Sequence, residues 1–240
     1  MDLNGYQKQW NRKPILRAVY NDLYQKIENS ALAGDTLEIG GGIGNFNISS
    51  GRIIKSDIQR STGLDVVADA QQLPFGNEVF SNIVLFDVLH HLQCPLLFFT
   101  EAQRVLKPGG RIIMMEPGIT PISKLLYKMG HEEPVEMNWN MSNPCKVEAN
   151  KDPYESNQAI PTILFKRDSE LFLATVKGFK INSSDWLSLF AYPLSGGFKP
   201  WSLLPYKWVH TILKIEEKLL PFLGSLMAFR LMVVLEKDES

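Results

Sequence analysis

The chain reads as an α/β protein built on a doubly wound, mostly parallel sheet. Three observations lead to that expectation. Between residues 37 and 117, short apolar runs alternate with helix-like or turn-rich segments, the pattern of parallel strands joined by right-handed crossovers. Several of those runs end in an acid, as at Asp57, Asp69 and Glu116. The first run, Leu37-Glu38-Ile39, opens at once into Gly40-Gly41-Gly42-Ile43-Gly44, where missing Cβ atoms let backbone approach a ligand closely and adopt positive φ.

The elements follow in order. Tyr6 to Asn29 carries Ile15, Leu16, Val19, Leu23 and Ile27 near a 3.6-residue spacing and is predicted helical, packed beside the binding half of the sheet. Gly34-Asp35 turns into the first strand, and a helix is expected to start near Asn45. Arg52–Asp57, Asp65–Ala70 and Ser81–Asp87 are the next strands. A helix from Leu96 to Leu106 is closed by Lys107-Pro108-Gly109-Gly110, a helix-stop signal, before a fifth strand from Arg111 to Glu116. From Gly118 to Phe165 the alternation fails. Five prolines fall there, Ile122–Met129 is a short helix and the remainder reads as irregular, too long for an ordinary loop and so an inserted cap. Asp168–Val176 is helical, a strand lies around Trp186–Ala191, Pro205–Leu220 is an amphipathic helix and Leu226–Glu236 a closing strand. The whole is one domain: a helical segment 1–33, a binding core 34–117, an insert 118–167 and a final part 168–240.

Composition narrows the function classes. The 240 residues are 45% hydrophobic and 21% charged, ordinary for a globular chain. A net charge of −1 with scattered basic residues lacks the footprint of a nucleic-acid binder, so no nucleic-acid partner is expected. Cys94 and Cys145 are too few for a disulfide framework and read as reduced thiols of a cytoplasmic protein. No run of 18 apolar residues is present to span a membrane.

The glycine turn discriminates among nucleotide-binding patterns. A dinucleotide fingerprint needs glycines at i, i+2 and i+5, but Asn45 or Asn47 occupies the last position in either register. No Gly-Lys-Ser/Thr follows, which excludes a Walker loop. The pattern acid-x-Gly-x-Gly-x-Gly fits at Glu38, Gly40, Gly42 and Gly44. With "SDI", "VVADAQQLPF", "IVLFDVLHHL" and "EAQRVLKPGGRIIMMEP" in succession, residues 37–117 resemble the class I S-adenosylmethionine (SAM)-dependent methyltransferases. The nearest resemblance is to the "type 11" small-molecule group that includes quinone-biosynthesis enzymes. It implies a seven-stranded Rossmann-like methyltransferase fold with an antiparallel last strand, and SAM as cofactor.

It also implies roles. The turn Gly40, Gly41, Gly42 and Gly44 takes the amino-acid and sugar portion, and Glu38 stands near the ammonium. Asp57 holds the ribose hydroxyls, Asp69 the adenine amino group with Ala70 N–H on a ring nitrogen, and Phe86 lies beside the sulfonium or the acceptor. Plainer readings stand beside these: Glu38 as a strand-end acid, Asp57 as a helix N-cap, Asp69 as a turn acid, Gly41 as merely permissive. The candidate bases are His91, at the carboxyl edge of the fourth strand, and His131, in Gly-His-Glu-Glu-Pro; each is equally readable as structural or solvated. His131, Glu132, Glu133 and Asp152 match no ligand spacing, so no metal is expected. Aromatics crowd the second half (Trp139, Tyr154, Trp186, Tyr192, Phe198, Trp201, Tyr206, Trp208), which suits a partly apolar small-molecule acceptor, methylated at oxygen or carbon. The signature Asn/Asp-Pro-Pro-Tyr/Phe of many enzymes that methylate amines of macromolecules is replaced here by Phe86-Asp87-Val88-Leu89. A macromolecular acceptor and a non-catalytic SAM-binding role are the competing functions. The helix 205–220 carries Trp208 and lysines, a pattern shared by helices packed on a sheet and by those resting on a membrane surface or near a lipid-linked substrate. Oligomeric state is not written in these residues.

Overall fold

The computed structural model describes residues 3–130, 133–143, 145, 152 and 155–239. Seven strands form one sheet in the order β3-β2-β1-β4-β5-β7-β6. They are β1 (Thr36–Ile39), β2 (Ile53–Asp57), β3 (Val66–Val67), β4 (Phe80–Phe86), β5 (Leu106–Pro117), β6 (Phe179–Leu187) and β7 (Arg230–Lys237). The first five run parallel, with Leu37 opposite Ile54 on one side and Ile83 on the other. Strand β7 inserts antiparallel between β5 and β6. The order reverses between β1 and β4, and their carboxyl ends therefore flank the crevice where open α/β sheets bind ligands.

Period-two alternation divides the sheet residues between two apolar layers. Ile83, Leu85, Ile112, Met114, Leu231 and Val233 face helix α3 (Pro95–Val105) and, from the second half, Leu164, Phe165 and Phe172. Val84, Ile113, Met115, Met232 and Val234 face the other way, onto Leu23 and Ile27 of helix α2 (Pro14–Ser30). Burial on both faces is why β4, β5 and β7 read as nearly continuous apolar runs. Truncating a fully buried ring such as Phe98 or Phe172 to alanine would cost ~3–5 kcal/mol.

Several sequence expectations are corrected. The N-terminal helix is two, α1 (Leu3–Arg12) and α2, because Pro14 fits the first turn of a new helix and not the interior of a long one. At the break, the buried Lys13 ammonium donates to the carbonyls of Ser195, Gly197, Lys199 and Trp201 at 2.7–2.9 Å, fastening the helical segment to a distant loop. No helix starts at Asn45: the chain from Gly44 to Arg52 is too short and too rich in Asn, Ser and Gly to complete helical turns before β2 begins. The third strand shrinks to two residues.

In the insert, helix α4 (Pro121–Gly130) matches expectation, but Ile160–Arg167, read as mostly irregular, is helical and buried as far as Phe165: α5 (Ile160–Thr162) continues as one π-helical stretch. Helix α6 (Ser169–Thr175) follows, and β6 starts seven residues earlier than the predicted strand. After the short helix α7 (Ala191–Ser195), the last helix is α8 (Val209–Met227), which passes Pro221 and ends seven residues later than expected. Gly224 explains the extension, since it lets α8 close on Trp186 of β6, where a Cβ would lie 2.9 Å from that residue's Cβ. Finally, Cys94 and Cys145 form a disulfide with Cα atoms 5.7 Å apart, within the ordinary range. The expectation of reduced thiols failed because the pairing depends on the insert folding back onto the start of α3, which residues 51 apart in sequence do not announce.

Candidate cofactor and acceptor site

The predicted cofactor residues converge. Glu38, Asp57 and Phe86 stand at the carboxyl ends of β1, β2 and β4, and Asp69 lies two residues beyond β3, so four neighbouring strands present them along one edge. Positive φ at Gly40 (73°), Gly42 (51°) and Gly44 (70°) bends the turn back toward β2. A Cβ on Gly40 would sit 2.2 Å from Val88 Cγ2, and one on Gly41 would sit 3.0 Å from Leu64 Cδ2. Gly40 is therefore required by the fold of the turn, whereas a Cβ on Gly41 would press only on the tip of the Leu64 side chain. Asp57 Oδ2 accepts from Gly42 N–H (3.0 Å) and Oδ1 from Gln59 N–H (2.9 Å), which ties the β2 end to the turn. It caps no helix, since none follows β2. Asp69 acts in a turn, its Oδ1 accepting from Gln71 N–H at 2.8 Å. Ala70 is buried in the core beside Leu73.

Glu38 is 5% exposed, and its Oε2 is a buried acceptor without a hydrogen-bond partner. Burial pushes its carboxyl up to about 8; the Lys55 charge opposes this and the Asp57 charge adds to it. Close by in sequence, the Asn45 amide nitrogen is a buried donor without a partner. An orphaned acid facing a crevice and an orphaned amide donor on the following loop suit the ammonium and the carboxylate of one amino-acid tail. The residues present therefore fit SAM. The sequence marked Asn45 only as the start of a helix, which is absent, and not as a donor beside the turn.

On the other side of β4 lies a wall that is aromatic and charge-paired. Asp87, in the left-handed region at φ 57°, turns its carboxylate onto the Arg230 guanidinium of β7, with Nη2 at 2.9 Å from Oδ2 and Nη1 bound to Oδ1. Arg230 is fully buried yet held charged. Burial lowers its pKa, but the Asp87 carboxylate outweighs that. Its guanidinium lies 4.2 Å from the Tyr192 ring centre and 5.3 Å from that of Phe86. Tyr20 stacks on Phe86 at 5.2 Å, and Tyr24 meets Phe86 edge-on at 5.4 Å. Burial raises the hydroxyls of Tyr20, Tyr24 and Tyr192, so they remain protonated donors at neutral pH. Asp87 and Arg230 were not singled out in the sequence, because their pairing joins positions 143 apart.

Beside this wall sits a buried proton-sharing chain. Glu116, at the end of β5, accepts from the N–H groups of Val88 and Leu89 through Oε1, and its Oε2 lies 2.6 Å from His90 Nδ1. His90 Nε2 faces Glu133 of the insert at 3.6 Å. Burial would lower the imidazole, but its contacts with Glu116 and Glu133 raise it to about 9. His91 stacks on His90 at 4.2 Å between ring centres. Burial and then the His90 charge lower its pKa, so it stays neutral. His90, His91 and Glu133 bring potential metal-ligand atoms within 4.8 Å of one another, but both His90 nitrogens already face carboxylates, an arrangement that needs no ion. His131 and Glu132 lie outside the described residues, and Asp152 does not join this group.

Comparison with known proteins agrees with this geometry. Residues 37–114 match the family model of a methyltransferase domain, the stretch that holds the glycine turn and all four strand ends. This match supports a methyltransferase domain of the class I SAM-dependent type over those residues. SAM is the cofactor of this family. An uncharacterised protein of Methanocaldococcus jannaschii is 32% identical over 136 residues, covering 53% of this chain and 63% of that protein. A ubiquinone/menaquinone biosynthesis C-methyltransferase of Coxiella burnetii is 32% identical over 85 residues, 34% of this chain and 33% of that protein. The chain thus spans less than two thirds of the length of these relatives. Among solved structures, a SAM-dependent methyltransferase from Archaeoglobus fulgidus superposes with a TM-score of 0.51 at 14% identity, covering 93% of this chain and 94% of that one. The geranyl diphosphate C-methyltransferase of Streptomyces coelicolor gives 0.50 at 12% identity, covering 92% and 77%. At such identities the likeness establishes the methyltransferase fold and nothing finer.

Proposed function

We propose that this methyltransferase transfers the methyl group of SAM to a small, partly apolar molecule, at oxygen or carbon. The observation that carries the reading is the wall of Tyr20, Tyr24, Phe86 and Tyr192 packed about a guanidinium that Asp87 already neutralises. Such a wall offers apolar area and hydroxyl donors but little net charge, which favours a neutral acceptor with one or two polar groups.

SAM supplies a methyl carbon on a sulfonium, already a good leaving group. The protein's part is placement. Glu38 and Asn45 would hold the amino-acid tail and Asp57 the ribose, while the aromatic wall would exclude water and keep the acceptor atom within the reach of about 3–3.5 Å that such a transfer needs. For a hydroxyl acceptor, neutral His91 would be the group that takes the hydroxyl proton as the methyl is transferred, ending as an imidazolium beside a methyl ether and an uncharged thioether. A general base of this kind contributes about 10²–10⁴-fold. An acidic carbon acceptor, already deprotonated, needs it less.

The test is methyl transfer from labelled SAM to a panel of hydroxylated apolar compounds, with total protein and RNA supplied as rival acceptors. Label in a small molecule is the expected result. Label appearing only in protein or RNA, or SAM binding without turnover on any acceptor class, would refute it.

A further inference from the structure

We propose that the face formed by α8, α4 and the segment 201–208 docks on an anionic lipid surface. Helix α8 has two sides of different character. Val209, Glu216 and Gly224 are buried against the domain. On the far side Ile215, Phe222 and Leu226 are exposed, Phe222 by 80%. The approach to the helix continues the exposed apolar surface through Trp201, Leu203 (73% exposed), Tyr206 and Trp208, and neighbouring α4 adds Leu125 and Leu126. Large side chains exposed in such number on one region mark an interaction surface and not the scattered apolar residues of an ordinary exterior.

Charge selects the occupant. Lys207, Lys214, Lys218 and Lys128 are exposed on the same elements. Glu217, the acid on the outer part of α8, is turned toward α2, where it pairs with Lys26 at 3.2 Å. A second copy of this chain meeting the face in a two-fold contact would set lysines against lysines. Anionic headgroups complement them, and Trp and Tyr beside lysines are what an interfacial helix presents. Among the described residues no helix is long and apolar enough to cross a membrane, so the contact is one of lying on the surface.

The face also borders the acceptor wall. Phe198, a few residues before the patch, meets Tyr20 at 5.4 Å and Tyr6 at 4.8 Å, and Lys13 clamps the carbonyls of the intervening loop. Docking would therefore bring the mouth of the site to the bilayer, from which an apolar acceptor could enter. That consequence rests on the proposed function; lipid binding does not, and its test needs no turnover.

The full chain is sedimented with vesicles of phosphatidylcholine alone and with equal parts phosphatidylcholine and phosphatidylglycerol, at low and high salt. Pelleting with the anionic vesicles, weakened by salt, is expected. The exposed Phe222→Ser change should weaken binding roughly ten- to hundredfold, and Lys214→Glu with Lys218→Glu by about fivefold or more per lysine, with melting temperature unchanged in both. Absence of pelleting with anionic vesicles, or pelleting that these changes do not alter, would overturn the proposal. So would a wild-type dimer in sedimentation equilibrium that Phe222→Ser converts to monomer, since the patch would then belong to a second copy.

Discussion

Cofactor binding should expel a proton from Glu38. In the unliganded protein burial holds this carboxyl near 8, so at neutral pH it is protonated, although the same side chain in an unfolded chain would ionise near 4.5. A cationic ammonium placed against Oε2 reverses the balance and favours the carboxylate. Association below pH 8 is then coupled to loss of one proton, and affinity for SAM should rise about tenfold per pH unit between roughly pH 6 and 7.5, below the titration of an α-amino group itself. The full gap, 8 minus 4.5, corresponds to about 5 kcal/mol that ionising Glu38 in the empty site would cost. The sign for stability follows. The folded state holds the proton that the unfolded state releases between 4.5 and 8, so unliganded stability falls as pH rises through that window. Saturating SAM should flatten the fall.

Titration calorimetry in two buffers of different ionisation heat measures the protons released. Close to one is expected at neutral pH for wild type and none for Glu38→Gln, which should also bind more weakly because it offers no charge to the ammonium. Zero release by the wild type, or unchanged release by the variant, would refute the placement of the ammonium at Glu38.

Four further outcomes are expected. Gly40→Ala forces a Cβ to 2.2 Å from Val88 at positive φ and should lower stability by about 1–3 kcal/mol while weakening SAM binding more than tenfold, read by thermal melting with and without cofactor. Arg230→Met leaves Asp87 unpaired at the edge of the core and should cost about 3–5 kcal/mol, partly restored by adding Asp87→Asn; a melting temperature indifferent to both changes would remove the pair from the list of stabilising contacts. Reducing Cys94–Cys145, which closes a 51-residue separation, should cost up to about 4 kcal/mol, seen as a lower melting temperature in reductant, with thiol counting before and after. His91→Asn should slow transfer to a hydroxyl acceptor by about 10²–10⁴-fold without weakening SAM binding, and a merely structural His91 would show the opposite split.

The glycine turn and the strand ends beside it were legible because their information is local. Glycine positions, strand-end acids and apolar runs are read within a few residues of one another, and a parallel sheet carries local strand ends to one edge by its topology alone. The missing helix after Gly44 shows where a pattern borrowed from the family outran the residues: Asn47, Ser49, Ser50 and Gly51 form turns better than helix, and that was written in the sequence. The acceptor half was illegible for a different reason. Arg230 finds Asp87, His90 finds Glu116 and Glu133, and Cys94 finds Cys145 only after β7 has inserted and the insert has folded back, and no short-range spacing encodes those meetings. The insert itself was misread around Ile160–Arg167 because a buried helical turn there has apolar residues on every side and shows no amphipathic period.

The charges along the carboxyl edge carry the argument from cofactor to acceptor. Glu38, Asp57 and Asp69 gather on β1, β2 and β3 with Lys55 as the nearby cation, and Lys55 spends its ammonium on the Gly44 carbonyl at 2.6 Å. That half is short of positive charge, which a sulfonium with an ammonium tail supplies. Across β4, Arg230 answers Asp87 in full, while a protonated His90 stands between two carboxylates, Glu116 and Glu133, which leaves one negative charge there. An anionic acceptor would have to displace Asp87 from Arg230 or add to the excess negative charge beside His90, at several kcal/mol, before it gained any contact. A neutral acceptor does neither and buries its apolar area against Tyr20, Phe86 and Tyr192. The paired Asp87–Arg230 wall is the physical ground for expecting the proposed site to select a neutral, partly apolar acceptor over anionic analogues of the same shape.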